Sequence, residues 1–163
     1  MESRKEPPDA KSPARVARHL ITALEREIHR LSGEALRPLG LTPPQAEVLT
    51  VLSVRSPLTL TALGERLLCE AGSPSRLVER MVRRGWLQRR RAPHDGRAVW
   101  ITPTAEGRAL MPRIAEAEAT VQGALDTLLG QAPLEDFNRA LWQGLASRPP
   151  GKVLRRRNAE GSL

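Results

Sequence analysis

Between Pro13 and Ala35 the apolar residues fall at Val16, Leu20, Leu24, Ile28, Leu31 and Ala35, with Ala23 beside them. Steps of three and four place them on one stripe of an α-helix. Ser12-Pro13 offers a cap and a first-turn proline, and Pro38 ends the run, so the pattern predicts a helix over about 13–36. Thr42-Pro43-Pro44-Gln45 has the make-up of a second helix start, with glutamine three residues after the threonine cap. Ala46, Val48, Leu49 and Leu52 supply its inner face, and Ser56-Pro57 breaks it. Thr59 caps a third, short helix through Leu60, Leu63, Leu67 and Leu68. Ser73-Pro74 opens a fourth, running to about Arg84, where Gly85 suits the left-handed position after the last turn.

Beyond Gly85 the period shortens from the helical to the strand spacing. Trp86–Arg91 and Ala98–Ile101 flank Ala92-Pro93-His94-Asp95-Gly96, a turn-rich tip, and predict a β-hairpin. Thr104 then starts a long helix to about residue 130, with Leu110, Ile114, Ala117, Val121, Leu125 and Leu128 at near-heptad spacing. Pro112 lies inside it and predicts a kink or loosened first turns. A last helix over 133–147 carries Leu134, Phe137, Leu141 and Leu145 on one face. Residues 1–11 read as a flexible N-terminal arm and 148–163 as a basic flexible tail, leaving one folded unit over 12–147.

Helix four is two-faced. Leu77, Val78 and Met81 point inward, while Ser75, Arg76, Glu79, Arg80 and Arg83 point outward. A short helix, a tight turn and a second helix with a basic outer face make a helix-turn-helix unit. Such an exposed helix suits a DNA major groove about 12 Å wide. The expected fold class is therefore mainly α with a small β-hairpin wing. The winged helix-turn-helix lobe, about 43–103, lies between long N- and C-terminal helices.

Charge sharpens that picture. The 163 residues carry a formal net charge of +8, and residues 76–97 alone contribute +6, from eight arginines against Glu79 and Asp95. Residues 148–163 add +4, so the remainder is slightly acidic. Arginine outnumbers lysine 23 to 3, a bias that base composition of the genome can produce, but such a bias would spread evenly along the chain. A concentrated positive stripe on an ordered element is the footprint of a polyanion. No apolar run approaches the roughly 20 residues that span a bilayer. A single cysteine, Cys69, excludes an internal disulfide and fits a reducing cytoplasm. His19, His29 and His94 with that cysteine show no metal-ligand spacing. No phosphate-cradling glycine loop or nucleophile–base set can be assembled, which argues against an enzyme and against any cofactor.

Leu77-Val78-Glu79-Arg80-Met81-Val82-Arg83-Arg84-Gly85-Trp86-Leu87 continues through Asp95-Gly96-Arg97-Ala98-Val99 to Thr104-Ala105-Glu106-Gly107-Arg108-Ala109-Leu110. That block resembles the MarR family of winged-helix regulators, and the resemblance covers about 12–147. Pro103 departs from the family's usual leucine, and Ser73-Pro74-Ser75 brings a proline into the start of the recognition helix. The resemblance implies a homodimeric, sequence-specific transcription regulator, a repressor, that reads a pseudo-palindromic double-stranded DNA operator with helix 74–84 and wing 86–101. It implies that Ser73, Ser75, Arg76 and Arg80 face the major groove or its phosphates, with Arg76 the candidate for guanine. Arg97 is implied as the wing arginine of the minor groove, with Asp95 bracing the hairpin. Arg83 and Arg89, Arg90 and Arg91 are expected at phosphates.

Two-fold symmetry lets two such helices read half-sites about 34 Å apart. Helices 13–36, 104–130 and 133–147 carry more apolar stripe than one small lobe covers, and are the expected dimer interface. The family also implies a small-molecule effector between these helices and the lobe, for which Arg18, His19, Trp100 and Arg113 are the candidate lining. The competing expectation is a non-specific, architectural nucleic-acid binder without effector control.

Overall fold

Helices α1 (Pro13–Leu36) and α5 (Ala105–Leu129), of 24 and 25 residues, are the long elements of the structure, each about 36 Å at 1.5 Å per residue. The structure is a computed structural model that describes residues 12–68, 73–92, 95–130 and 132–161, and for 92 and 95–97 the backbone only. The arm at 1–11, Cys69, His94 and the side chains of Asp95 and Arg97 lie outside the described residues.

α1 and α5 pack on each other, and both reach α2 (Pro43–Val54) at the base of the lobe. The lobe continues through β1 (Leu58–Thr59), α3 (Leu60–Gly64), α4 (Pro74–Arg83), β2 (Leu87–Ala92) and β3 (Asp95–Pro103). Its antiparallel sheet has the order β1-β3-β2. Leu49, Leu52, Leu63, Leu77, Val78, Met81, Leu87, Ile101 and Ile114 form the buried core, drawn from α2, α3, α4, β2, β3 and α5. Each such side chain contributes about 1.5–3 kcal/mol relative to exposure. α6 (Leu134–Leu145) and α7 (Pro149–Ala159) complete the chain.

The starts of α2 and α3 follow their capping chemistry, whereas Ser12 ahead of α1 makes no side-chain capping bond. The Thr42 N–H donates to Gln45 Oε1 at 2.9 Å, and the Thr59 hydroxyl accepts the Ala62 N–H at 3.2 Å. Pro74 occupies the first turn of α4, where its missing N–H leaves no bond unmade, so the helix begins there without delay. α5 runs through Pro112 as one helix from Ala105.

The sequence reading departs from the structure in three places. β1 is two residues long, too short to show alternation, and was expected only as a helix cap. α3 ends at Gly64 instead of Leu68. The basic stretch expected as a flexible tail instead forms helix α7 over Pro149–Ala159. Its anchors are acids far away in sequence, which local periodicity does not register.

Candidate nucleic-acid interface

α4 ends in a tight elbow. Gly85 takes φ +76°, its N–H bonds the Val82 carbonyl at 2.9 Å, and the Trp86 N–H bonds the Met81 carbonyl at 3.0 Å. This left-handed glycine stop turns the chain directly into β2. The start of α5 is fastened to the same elbow. The Thr104 hydroxyl donates to the Gly85 carbonyl at 2.5 Å, the Thr104 N–H donates to the Trp86 carbonyl at 3.0 Å, and the Gly107 N–H donates to the Thr104 hydroxyl at 3.1 Å. Gly107 is buried so close to the Trp86 carbonyl that a methyl group there would collide with it. Helix, hairpin and scaffold thus meet backbone to backbone.

From this junction α4 presents Ser73, Ser75, Arg76, Glu79, Arg80 and Arg83 to solvent, with Leu77, Val78 and Met81 buried behind them. Ser73 stands at the cap position, but its side chain makes no capping bond. Among the described residues Arg76, Arg80, Arg83, Arg89 and Arg91 make no ion pair, so Glu79 does not engage Arg76. Exposed guanidinium groups without carboxylates are available to a polyanion.

The hairpin register sorts its arginines. Arg89 pairs with Ile101 and Arg91 with Val99, while Arg90 pairs with Trp100 and Gln88 with Thr102. Alternation puts Arg89 and Arg91 on one face and Arg90 on the other. Arg90 donates to Gln88 Oε1 at 3.2 Å and lines a cleft of about 560 Å³ with Ser53, Thr102, Arg108 and Met111. The sequence reading grouped the three arginines; the strand separates them. Asp95 and Arg97 lie at the start of β3.

Two residues of this surface were missed by sequence reasoning. Gln45, at the start of α2, forms a basic notch of about 330 Å³ with Arg80, Arg83 and Arg84. The Arg84 guanidinium also lies over the Trp86 ring, 5.5 Å from its centroid. The signal for Arg84 was present in the arginine run, but Gln45 reads locally as a cap alone.

The expected effector lining is scattered within the single subunit. Arg18 and His19 are exposed on α1, where the His19 ring contacts the Arg15 carbonyl, Arg113 is exposed on α5, and Trp100 is half-buried on β3. A smaller cavity of about 170 Å³ lies between α1, α2 and α5, bordered by Ser32, Ala46, Glu47, Glu118 and Arg157. On the far side of the scaffold, Leu20, Ile21, Leu24, Leu128, Leu134 and Phe137 line an apolar groove of about 530 Å³. Leu20 and Leu128 are 64% and 56% exposed there, so the groove is uncovered in one subunit. Among the described residues no helix is long and apolar enough to cross a membrane.

A sequence model of the MarR family matches residues 39–98. The chain is 30% identical over 104 residues to the organic hydroperoxide resistance transcriptional regulator of Bacillus subtilis, covering 64% of this chain and 71% of that protein. It is also 30% identical over 118 residues to the HTH-type transcriptional regulator MgrA of Staphylococcus aureus, covering 72% and 79%. Among solved structures, a mutant MarR from E. coli complexed with operator DNA superposes with a TM-score of 0.73 at 25% identity. That match covers 84% of this chain and 99% of the other.

Proposed function

The chain belongs to the MarR family, and on that premise we propose that this DNA-binding transcription regulator acts in the cytoplasm as a homodimeric repressor. It is a regulator and not an enzyme. The observation that carries the finer reading is the presence of two surfaces on one frame. One is the carboxylate-poor face of α4 and the hairpin; the other is the uncovered apolar groove of α1, α5 and α6.

A second copy of the chain covers that groove, since Leu20, Leu128 and Phe137 gain from leaving water. The resulting two-fold axis presents two α4 helices to successive major grooves of a pseudo-palindromic operator. Ser75, Arg76 and Arg80 meet base edges and nearby phosphates, while Ser73, at the helix start, holds a phosphate. Arg83, Arg89 and Arg91 act on phosphates, with Gln45 and Arg84 beside them. Arg97 enters the minor groove, with Asp95 bracing the wing. Arg90 faces the cleft shared with Arg108, and a small-molecule effector held between scaffold and lobe releases the operator by changing the angle between them.

Selection of duplexes from a random library, followed by footprinting, tests this. Two protected half-sites about 34 Å apart, bound by a dimer, are expected. Equal affinity for every duplex identifies a non-specific architectural protein instead.

A further inference from the structure

The segment that leads from α3 toward α4 is gripped by the last helix of the chain. Arg66, only 8% exposed, donates Nη1 to the Ala62 carbonyl at 2.7 Å. Its other edge forks onto the Glu160 carboxylate just past α7, Nε to Oε2 at 3.0 Å and Nη2 to Oε1 at 2.7 Å. One residue earlier in the lobe, Glu65 Oε2 accepts Arg156 Nη1 at 2.6 Å. Glu47 Oε1 on α2 accepts Arg157 Nη1 at 2.9 Å and the Leu68 backbone N–H at 2.8 Å. Three links therefore join the last turn of α7 to residues 62–68 and to the carboxylate that holds Leu68.

Two of these links are not loose surface pairs, while the third, Glu65–Arg156, lies on the exposed rim. The Glu47–Arg157 and Arg66–Glu160 side chains are all 10–15% exposed, and a two-pronged guanidinium–carboxylate fork fixes direction as well as distance. The elbow ahead of α7 is equally constrained. Gly151 is buried against the Leu145 carbonyl so tightly that a side chain there would collide with it. Arg157 is held in the largely buried pair with Glu47, which removes it from a phosphate-binding role, while Arg156 keeps an exposed pair with Glu65.

We propose that α7 is a brace that positions the approach to the recognition helix, with Glu47 and Glu160 as its positioning carboxylates. This rests on the assignment of α4 as the DNA reader. Residues 65–68 follow directly on Gly64, which packs against Pro74 in the first turn of α4, so displacing them moves Ser75 and Arg76 relative to the base edges. Base readout depends on the placement of donors and acceptors, whereas phosphate attraction tolerates displacement. Loss of the brace therefore lowers discrimination between duplexes more than it lowers overall attraction.

The test uses the full chain, the duplex that the wild type binds most tightly from a random library, and a scrambled duplex of equal length. Glu160→Arg is expected to cut the preference for the selected duplex about tenfold. Scrambled duplex should bind at least as tightly as before, since the substitution adds positive charge. Arg66→Glu combined with Glu160→Arg rebuilds the pair with exchanged signs and restores the preference. An unchanged preference in Glu160→Arg overturns the brace, and so does a loss that the double exchange fails to restore. Should Glu160→Arg not fold, the isosteric Glu160→Gln takes its place: a reduced preference with scrambled-duplex affinity retained supports the brace, and an unchanged one overturns it. A wild type without any preferred duplex would remove the regulator reading instead. Hydrogen exchange would then judge the brace alone: residues 62–68 must exchange faster in whichever single variant folds, and no change overturns it.

Discussion

Helix α4 with its hairpin and helix α7 are both arginine-rich, but they dispose of their charge in opposite ways. Arg76, Arg80 and Arg83 stand in solvent without an ion pair among the described residues, while Arg156 and Arg157 sit on Glu65 and Glu47. Arginine count alone marks both segments as basic and says nothing of this difference. What separates them is the position of glutamates 91 and 110 residues away in the chain, which folding brings to one segment and not to the other. Guanidinium groups with carboxylate partners hold the protein to itself; those without partners are left for something outside it.

The contrast can be broken at several points. Ionic strength has the largest expected effect: if about six phosphates are neutralised, duplex affinity falls roughly a thousandfold between about 50 and 200 mM salt. The melting temperature should barely move over that range, because the Arg66–Glu160 and Glu47–Arg157 links of α7 are largely buried. Next come Arg80→Ala and Arg97→Ala, each expected to weaken selected-duplex binding about tenfold in gel shifts while leaving the melting temperature unchanged. Unchanged affinity in both would remove the assignments of the helix and the wing.

Gly107→Ala joins the two classes, since it forces Trp86 away from α5. Overpacking of this kind costs about 1–3 kcal/mol, and calorimetry should register a lower melting temperature together with weaker duplex binding. Arg66→Ala should show the converse of the Arg80 variant, lowering the melting temperature by about 5 °C with scrambled-duplex affinity intact.

The smallest effect is in pH. Hydrogen bonds from Arg66 outweigh partial burial and hold the Glu160 carboxyl below its ordinary value of 4.5, with Arg66, Arg55 and Arg156 adding positive potential. A carboxyl depressed by folding stabilises the folded state fully above that ordinary value, and the contribution is lost as pH falls through the depressed one. Protection of α7 amides should accordingly stay level down to about pH 4.5 and fall below it. Glu160→Gln should flatten that dependence, and an identical profile in the variant would detach it from this carboxylate.

Much of this architecture is visible in local sequence because its signals are local. The stripe from Val16 to Ala35, the Thr59 and Thr104 caps and the stop at Gly85 each depend on residues within one or two turns. The inward Leu77, Val78 and Met81 and the outward Arg76, Arg80 and Arg83 follow from helical period alone. What local reading missed depends on distance or on register. β1 exists only because Leu58 and Thr59 find Ile101 and Trp100. Arg90 parts from Arg89 and Arg91 only once the strand pairing is known. Gln45 becomes part of the basic surface only when α2 is laid beside the end of α4.

At the Gly85–Trp86–Gly107 junction the reading lobe and the long scaffold touch through main-chain atoms. Such a joint has no rotamers with which to take up slack. The hairpin projects from it with nine residues in β3, about 30 Å of lever. A small shear of α5 against α1 would therefore pass into the hairpin enlarged rather than absorbed, and in the proposed dimer two subunits turning in opposite senses would change the span between their readers by twice that amount.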